Sequence, residues 1–426
     1  MNSIAVIGAG AAGLLCAGLA AEKGADVTLF EKNRSERKIA SENFYDNAYL
    51  GKKLLITGKG RCNVTNNCGL DDFLKNITGN SKFMYAAFSH FPSSRTMEFF
   101  EKMGVALKTE RGNRVFPVSD RSVDILNGLK KFIKEKNVKV RNKNVVSIVK
   151  EDDKFVISTS DGSRVTFDKV VICTGGVSYP QTGSDGDGYK FSENFGHTIK
   201  EPTPSLVPLE CVNYEMCSDM SGLSLKNVKL TMTDKQKNKA VYSEMGEMLF
   251  THFGISGPLV LSASAHMKKF TPDKYRADID LKPALDLQTI DSKLIKLFEK
   301  ESNKNLSNVL ADMLPKSMCE PFCEYCGMSY DAKPNSITKE QRRIIAETFK
   351  RFSFDISSFR PIAEAIVTSG GVNVKEINPS TMESKLVPGL YFAGEVIDVD
   401  AYTGGFNLQI AFSTAALAAE NVASQK

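Results

Sequence analysis

The run Gly8-Ala9-Gly10-Ala11-Ala12-Gly13 lies between an apolar pentapeptide, Ser3 to Ile7, and an Ala/Leu-rich stretch over residues 11 to 23, and it constrains this chain more than any other feature. The spacing demands a strand that ends in a tight turn, a backbone that an anion can approach, and a helix packed hard against the sheet. The three glycines meet those demands in order. Asp26 to Glu31 reads as a second strand, and Glu31 stands 18 positions beyond Gly13. A carboxylate there accepts hydrogen bonds from both ribose hydroxyls and repels a 2′-phosphate. This strand–helix–strand unit is therefore an adenine-dinucleotide site, with FAD and NAD both open on this motif alone.

Ile4 to Ala21 is almost continuously apolar, yet glycines 8, 10, 13 and 18 interrupt it and no Lys or Arg precedes it. It is neither a signal segment nor a membrane span. At roughly 150 residues per domain, a chain of 426 residues holds two to three domains. Apolar content of 42% and charged content of 25% exclude a disordered chain. Lys plus Arg exceeds Asp plus Glu by 55 to 50, too dilute an excess for an obligate nucleic-acid surface. The nine cysteines are odd in number and several fall in apolar strand or helix patterns, so a reduced, cytoplasmic setting is expected.

Along the chain, residues 32 to 48 are polar and Gly51 to Asn67 reads as a long functional loop. Helical patterns cover 82 to 103 and 121 to 136, and strands alternate over 138 to 172 with Asp161-Gly162 as a turn. Pro202, Pro204 and Pro208 mark a change to short strands, and residues 285 to 350 turn helical and rich in Lys, Glu and Asn. Residues 386 to 426 return to the opening style, as a strand into a Gly turn and then an Ala-rich helix over 405 to 423.

Two late features favour FAD. Val170 to Cys173 is a buried strand running into Thr174-Gly175-Gly176, as expected of a chain crossing beside a dinucleotide. Gly394-Glu395 and Gly404-Gly405-Phe406-Asn407-Leu408 open the last helix with flexible backbone, whose free amides and positive dipole end suit a ring that becomes anionic on reduction.

With these motifs the chain resembles the two-dinucleotide-binding-domain flavoproteins, and specifically the bacterial YhiN-like (HI0933-like) FAD oxidoreductases. The resemblance is carried by Val6 to Gly13, Gly51 to Asn66 (GKKLLITGKGRCNVTN), Thr182 to Tyr189 (TGSDGDGY), Phe250 to Pro258 (FTHFGISGP) and Ala393 to Ala411. It implies an α/β fold, a Rossmann-type FAD-binding domain with an inserted mostly β domain and a small helical subdomain. The segments would be 1–199 and 369–426 for the FAD domain, 200–284 and 346–368 for the β domain, and 285–345 for the helical insert. It further implies Gly8, Gly10, Ala11, Ala12 and Gly13 at the pyrophosphate, Glu31 and Lys32 at the adenosine ribose, and the Val145 backbone at adenine. Thr57, Gly58, Arg61, Cys62 and Asn63 would line the flavin cleft, with Arg61 able to pair with phosphate. Thr174 and Gly175 would border the adenine half, and Gly394, Glu395, Gly405, Asn407 and Leu408 would hold ribityl and ring. Where most such flavoproteins have Gly-Asp, this chain has Gly-Glu at 394–395.

The resemblance implies an oxidoreductase acting on a small organic substrate in a cleft between the FAD and β domains. Members of the family are described as reducing C=C bonds of unsaturated 3-oxo steroids or bile acids, or as oxidising small amines such as aminoacetone. We expect reduction of a C=C bond in an unsaturated 3-oxo, steroid- or bile-acid-like substrate with NADH or NADPH as donor, and oxidation of a small amine as the alternative. Because Gly183-Ser-Asp-Gly186-Asp-Gly188 fails the second dinucleotide fingerprint, the donor would bind transiently near the flavin without a second Rossmann domain. A flavoprotein that acts on RNA through Lys293, Lys296, Lys300, Lys304 and Lys316 is disfavoured, because Asp291, Glu299, Glu301 and Asp312 interleave with those lysines. A nucleotide-binding protein without flavin is the remaining alternative. Cys62 and Cys68 are too far apart in sequence for a short redox motif. Cys319, Cys323 and Cys326 have the spacing of a three-thiolate cluster site but sit in a helical pattern, so packed thiols are expected and no metal site is assigned. His252 and Tyr402 are the acid/base candidates; neither membrane association nor an oligomeric state is indicated.

Overall fold

The computed structural model describes residues 2–33, 49–267 and 270–424, so most of the polar stretch at 32–48 lies outside the described residues. The chain divides into two compact units, Met1–Ser205 with Ile362–Lys426, and Leu206–Pro361.

The first unit is a Rossmann layer. Five parallel strands, β1 (Ser3–Ile7), β2 (Asp26–Phe30), β3 (Lys139–Arg141), β4 (Lys169–Ile172) and β5 (Leu390–Phe392), stand in the order β5-β4-β1-β2-β3. Both faces are covered, which is why β1 and β4 read as unbroken apolar runs instead of alternating ones. Register pairs Val6 with Val171 on one side and Leu29 on the other. Helix α1 (Ala11–Glu22) is apolar nearly all round because it is buried nearly all round. Its small residues permit close approach: a Cβ on Gly18 would lie 2.3 Å from the Phe132 ring. The last helix, α2 (Phe406–Ala423), packs on α1 with a similarly Ala-rich surface.

Three small antiparallel sheets decorate this layer: Thr65–Asn66 with Arg114–Pro117 and Leu107–Glu110; Val145–Glu151 with Lys154–Thr159 and Arg164–Phe167; and Ile199–Ser205 with Val367–Val372. The expected long loop at 51–67 begins with a helical turn over Lys52–Ile56, entered through Gly51 at φ +65°. The helical pattern at 82–103 breaks at Phe91-Pro92, between Tyr85–His90 and Ser93–Lys102, because proline cannot donate into a continuing helix.

The second unit is a closed six-stranded barrel, formed in spatial order by Leu209–Cys211, Gly254–Ser256, Lys239–Thr251, Ser224–Asp234, Tyr275–Asp280 and Phe352–Phe359. Closure removes the exposed edges that such short strands would otherwise present. Helices Leu287–Lys300, Leu306–Leu310, Lys316–Tyr325 and Lys339–Lys350 share its core. Cys319 and Cys323 lie one turn apart on one of them, buried with Cys326 in that core, and burial pushes their thiols up to about 11, 12 and 11.

Candidate active site

The glycine loop separates three roles by geometry. Gly8, at φ +99°, leaves no room for a side chain, since a Cβ would sit 2.7 Å from the Cys173 carbonyl oxygen. A Cβ on Gly13 would sit 1.8 Å from the Gly8 carbonyl oxygen. Gly10 differs: it has nothing within 4 Å of its Cβ position, so the backbone is open there to an incoming group. The helical ladder of α1 starts with Leu14 N–H donating to the Gly10 carbonyl at 3.0 Å, which leaves the amides of Ala11, Ala12 and Gly13 outside it. Open backbone and helix amides together have the geometry that could hold an anion.

Glu31 follows β2 and is 7% exposed. Its carboxylate accepts from the Ala9 amide at 3.1 Å and the Asn33 amide at 2.8 Å. Burial raises its carboxyl above the usual range, and those two amides pull the other way. Lys32, expected at the ribose, is drawn to Asp185 and Asp187, the latter at 2.8 Å. Thr182 to Tyr189, quoted above for the family resemblance, thus folds against the end of β2. A cavity of about 510 Å³ opens there, lined by Lys32, Asn33, Asn144, Ser160, Gly183 and Asp185 among others. Val145 is buried directly after Asn144, paired with Thr159.

Against the same 182–189 segment, Gly175 takes φ +77° with its Cβ position 2.9 Å from Ser184 Oγ, and the buried Thr174 Oγ1 has no hydrogen-bond partner among the described residues. Asn63 Oδ1 is in the same state. Buried polar atoms are nearly always paired, so each of these oxygens, in its own segment, keeps an acceptor position for a ligand's donor.

The carboxy-terminal segment closes the site. Gly394, at φ +80°, would place a Cβ 2.9 Å from that of Ala12, and its amide donates to Thr414 Oγ1 at 2.9 Å. Gly405 carries φ +99°, and a Cβ on it would fall 2.3 Å from the Thr65 carbonyl oxygen. The ladder of α2 starts at Gln409, whose amide reaches the Gly405 carbonyl at 3.1 Å, so the amides of Phe406, Asn407 and Leu408 stay outside it.

Several side chains take partners that spacing did not suggest. Asn407 is spent on the chain before it, accepting from the Ala401 amide at 2.9 Å and donating to the Ala401 carbonyl at 2.7 Å. Leu408 packs half-buried against the core. Arg61 stacks 4.1 Å over the Phe116 ring, with Glu110 at 2.5 Å and Asp120 at 2.8 Å, so carboxylates already neutralise it. Gly58 and Cys62 both take φ +57° in a tight turn, where the Cys62 amide donates to the Thr57 carbonyl at 3.0 Å. Burial pushes the Cys62 thiol up to about 12 and the Cys68 thiol up to about 11, which keeps both protonated and poorly nucleophilic. Both are free thiols.

Two arrangements escaped sequence reasoning. Gln409, fully buried, accepts from Thr65 at 2.6 Å and Thr96 at 2.8 Å and donates to the Phe91 carbonyl and Ser413 Oγ, both at 2.9 Å. Glu395 meets Lys53 at 2.7 Å, Ser178 at 3.0 Å and the Thr368 amide at 2.8 Å. A polar residue within an apolar helix pattern was the only signal for the first; none existed for the second. Among the other candidates, Tyr402 is half-buried with its amide on the Asn76 carbonyl at 3.0 Å, and His252 is exposed on the second unit's hairpin tip with its ring edge-on to Phe253.

The profile of the HI0933-like protein Rossmann domain matches residues 2–421. The chain belongs to the HI0933-like family. Like that family it is an FAD-dependent oxidoreductase, and FAD is the cofactor that the open Gly10 backbone, the buried Glu31 carboxylate and the unladdered amides of α2 fit. It is 30% identical over 422 residues to a ribosomal RNA dihydrouridine synthase of Escherichia coli, covering 99% of this chain and 98% of that one. A protein of the same description from Haemophilus influenzae is 28% identical over 427 residues, with 99% and 98% covered. A 3-dehydro-bile acid delta(4,6)-reductase of Clostridium scindens is 28% identical over 435 residues, covering all of both chains. Among the described residues no helix is long and apolar enough to cross a membrane.

Proposed function

We propose that this member of the family reduces a carbon–carbon double bond conjugated to a carbonyl, with NADH or NADPH as the donor. The observation that carries the reading is the likeness, along the whole chain, to relatives with two different substrates and one bond change. A steroid dienone and a uracil ring both carry a double bond conjugated to a carbonyl, and both are reduced by adding hydride at the carbon of that bond farther from the carbonyl and a proton at its neighbour. Bound FAD supplies the hydride relay between nucleotide and substrate. Gly8, Gly10, Gly13 and the amides of Ala11 and Ala12 would hold the pyrophosphate, Glu31 the ribose, and Thr174, Gly175 and Val145 would border the adenine half. The amides at 406–408 would stabilise negative charge on the ring side, which lowers the cost of accepting electrons.

Although composition and the interleaved charges of residues 291–316 speak against RNA, as the acceptor we favour a uracil in ribosomal RNA over the expected steroid-like enone, since two relatives carry that description, one of them at 30% identity. At the turn of the long hairpin in the second unit Lys237 and Lys239 are exposed, whereas the neighbouring Lys235 is paired with Asp355 at 3.0 Å; the two exposed lysines offer contacts for phosphates. An anaerobic absorbance titration tests the reading. The flavin bands should bleach with one nucleotide and return when ribosomal RNA lacking dihydrouridine is added, with a rate that falls as salt rises. Return with a steroid enone but not with RNA assigns the other acceptor. Bands that bleach with aminoacetone and with neither nucleotide overturn the reductase in favour of an amine oxidase.

A further inference from the structure

Lys53, Ser178, Thr368 and Glu395 come from four separated stretches of the first unit and meet at the carboxyl edge of the parallel sheet. Glu395 stands three residues past β5, and Ser178 six past β4. Lys53 Nζ lies 2.6 Å from Ser178 Oγ and 2.7 Å from Glu395 Oε2. Ser178 Oγ, itself fully buried, passes its own hydrogen to Glu395 Oε1 at 3.0 Å, and the Thr368 amide adds a second donor to that oxygen at 2.8 Å. Thr368 Oγ1 accepts from the Val177 and Ser178 amides at 2.9 and 3.1 Å and so freezes the turn after β4.

Counting donors and acceptors shows what the cluster leaves over. A lysine has three N–H groups and a carboxylate about four acceptor positions. Two of the lysine hydrogens are used, Glu395 Oε1 is filled by two donors, and Oε2 takes one. One donor on Lys53 and one acceptor on Glu395 remain, side by side, each side chain 21% exposed. Neighbouring hydroxyls of a polyol offer one acceptor and one donor at such a spacing.

We propose that Lys53 is a positioning residue for the polyol section of the bound dinucleotide, fixing Glu395 and adding its own third hydrogen to that contact. This rests on the FAD reading, and it explains how Gly-Glu can stand where Gly-Asp is usual: the longer carboxylate is held back by Lys53 and Ser178. Removing the lysine leaves a half-buried carboxylate without its counter-charge, and the polyol contact is lost with it.

The test compares FAD with ADP, which shares the adenosine and pyrophosphate but has neither polyol nor ring, by calorimetric titration of apoprotein. For Lys53→Met we expect FAD to bind about 10- to 100-fold more weakly, the size of a lost hydrogen bond to a charged group, with ADP binding to the folded apoprotein little changed and a lower apo melting temperature from the uncompensated Glu395 carboxylate. Ser178→Ala should weaken FAD in the same direction by a smaller factor. The double variant Lys53→Met/Glu395→Gln should bind FAD more tightly than the product of the two single losses predicts. FAD affinity within twofold of wild type in both K53M and S178A overturns the proposal. So does equal loss of FAD and ADP, or strict multiplication in the double variant. If K53M does not fold, S178A and E395Q decide by the same FAD-against-ADP comparison. Wild-type apoprotein that binds ADP but not FAD would instead overturn the cofactor reading itself.

Discussion

Replacing Gly10 with alanine should uncouple cofactor binding from folding, whereas the same change at Gly13 should damage both. Gly10 sits at φ −79° and ψ −168°, a conformation any residue adopts, and a Cβ there meets nothing within 4 Å. Alanine restricts the unfolded chain, worth about 0.4–1 kcal/mol, but caps a helix less well than glycine by a comparable amount. The apoprotein of Gly10→Ala should therefore keep its stability within about 1 kcal/mol, since the two effects oppose. The new methyl nonetheless occupies the space through which a pyrophosphate would reach the amides of Ala11 and Ala12. Losing one charge-assisted hydrogen bond costs about 1.5–3 kcal/mol, or roughly 10- to 100-fold in FAD affinity. Gly13→Ala forces a carbon to 1.8 Å from the Gly8 carbonyl, so the turn itself must move. A loss of about 3 kcal/mol or more is expected, at the upper end of overpacking. Urea unfolding of the apoproteins and flavin-fluorescence titration measure the two quantities separately. A G10A protein that binds FAD like wild type, or unfolds as readily as G13A, refutes the assignment of pyrophosphate to Gly10.

Gln409→Leu removes the partner of three buried hydroxyls, on Thr65, Thr96 and Ser413, and of the Phe91 carbonyl, so it should cost about 3–5 kcal/mol, read as a lower urea midpoint with unchanged m. For Glu31 the sign follows from burial: a carboxyl raised in the folded state penalises the charged form, so its cost is absent below the unfolded value and grows as pH rises through the folded one. Apo Glu31→Gln should thus gain on wild type at pH 7 relative to pH 4.5 in paired urea titrations, while its FAD affinity falls. Cys62, held protonated by burial up to about 12, should resist iodoacetamide in the native protein at pH 8, as mass-spectrometric peptide mapping can check. Rapid alkylation there would show that the 57–63 turn opens.

The dinucleotide unit was legible because its logic is local. Gly8, Gly10, Gly13 and Glu31 lie within one strand–helix–strand segment, and glycine is the one residue that tolerates both the turn at Gly8 and the approach at Gly13. The apolar runs of β1 and β4 likewise announced a sheet covered on both faces. What the residues at 53, 61, 395, 407 and 409 do was not legible, because a charged or amide side chain takes whichever partner the fold brings near, and those partners arrive from far along the chain. Arg61, which the resemblance made able to pair with phosphate, has Glu110 and Asp120 as partners within the chain; Asn407, which it put with the residues holding ribityl and ring, also holds the loop at Ala401. Glu395 lies 342 positions from Lys53 and 217 from Ser178. Periodicity and glycine spacing determine which backbone can form, since those are short-range steric facts. Only tertiary structure decides which buried charges and amides complete one another, since hydrogen-bond pairing depends on distance in space and leaves no period in sequence.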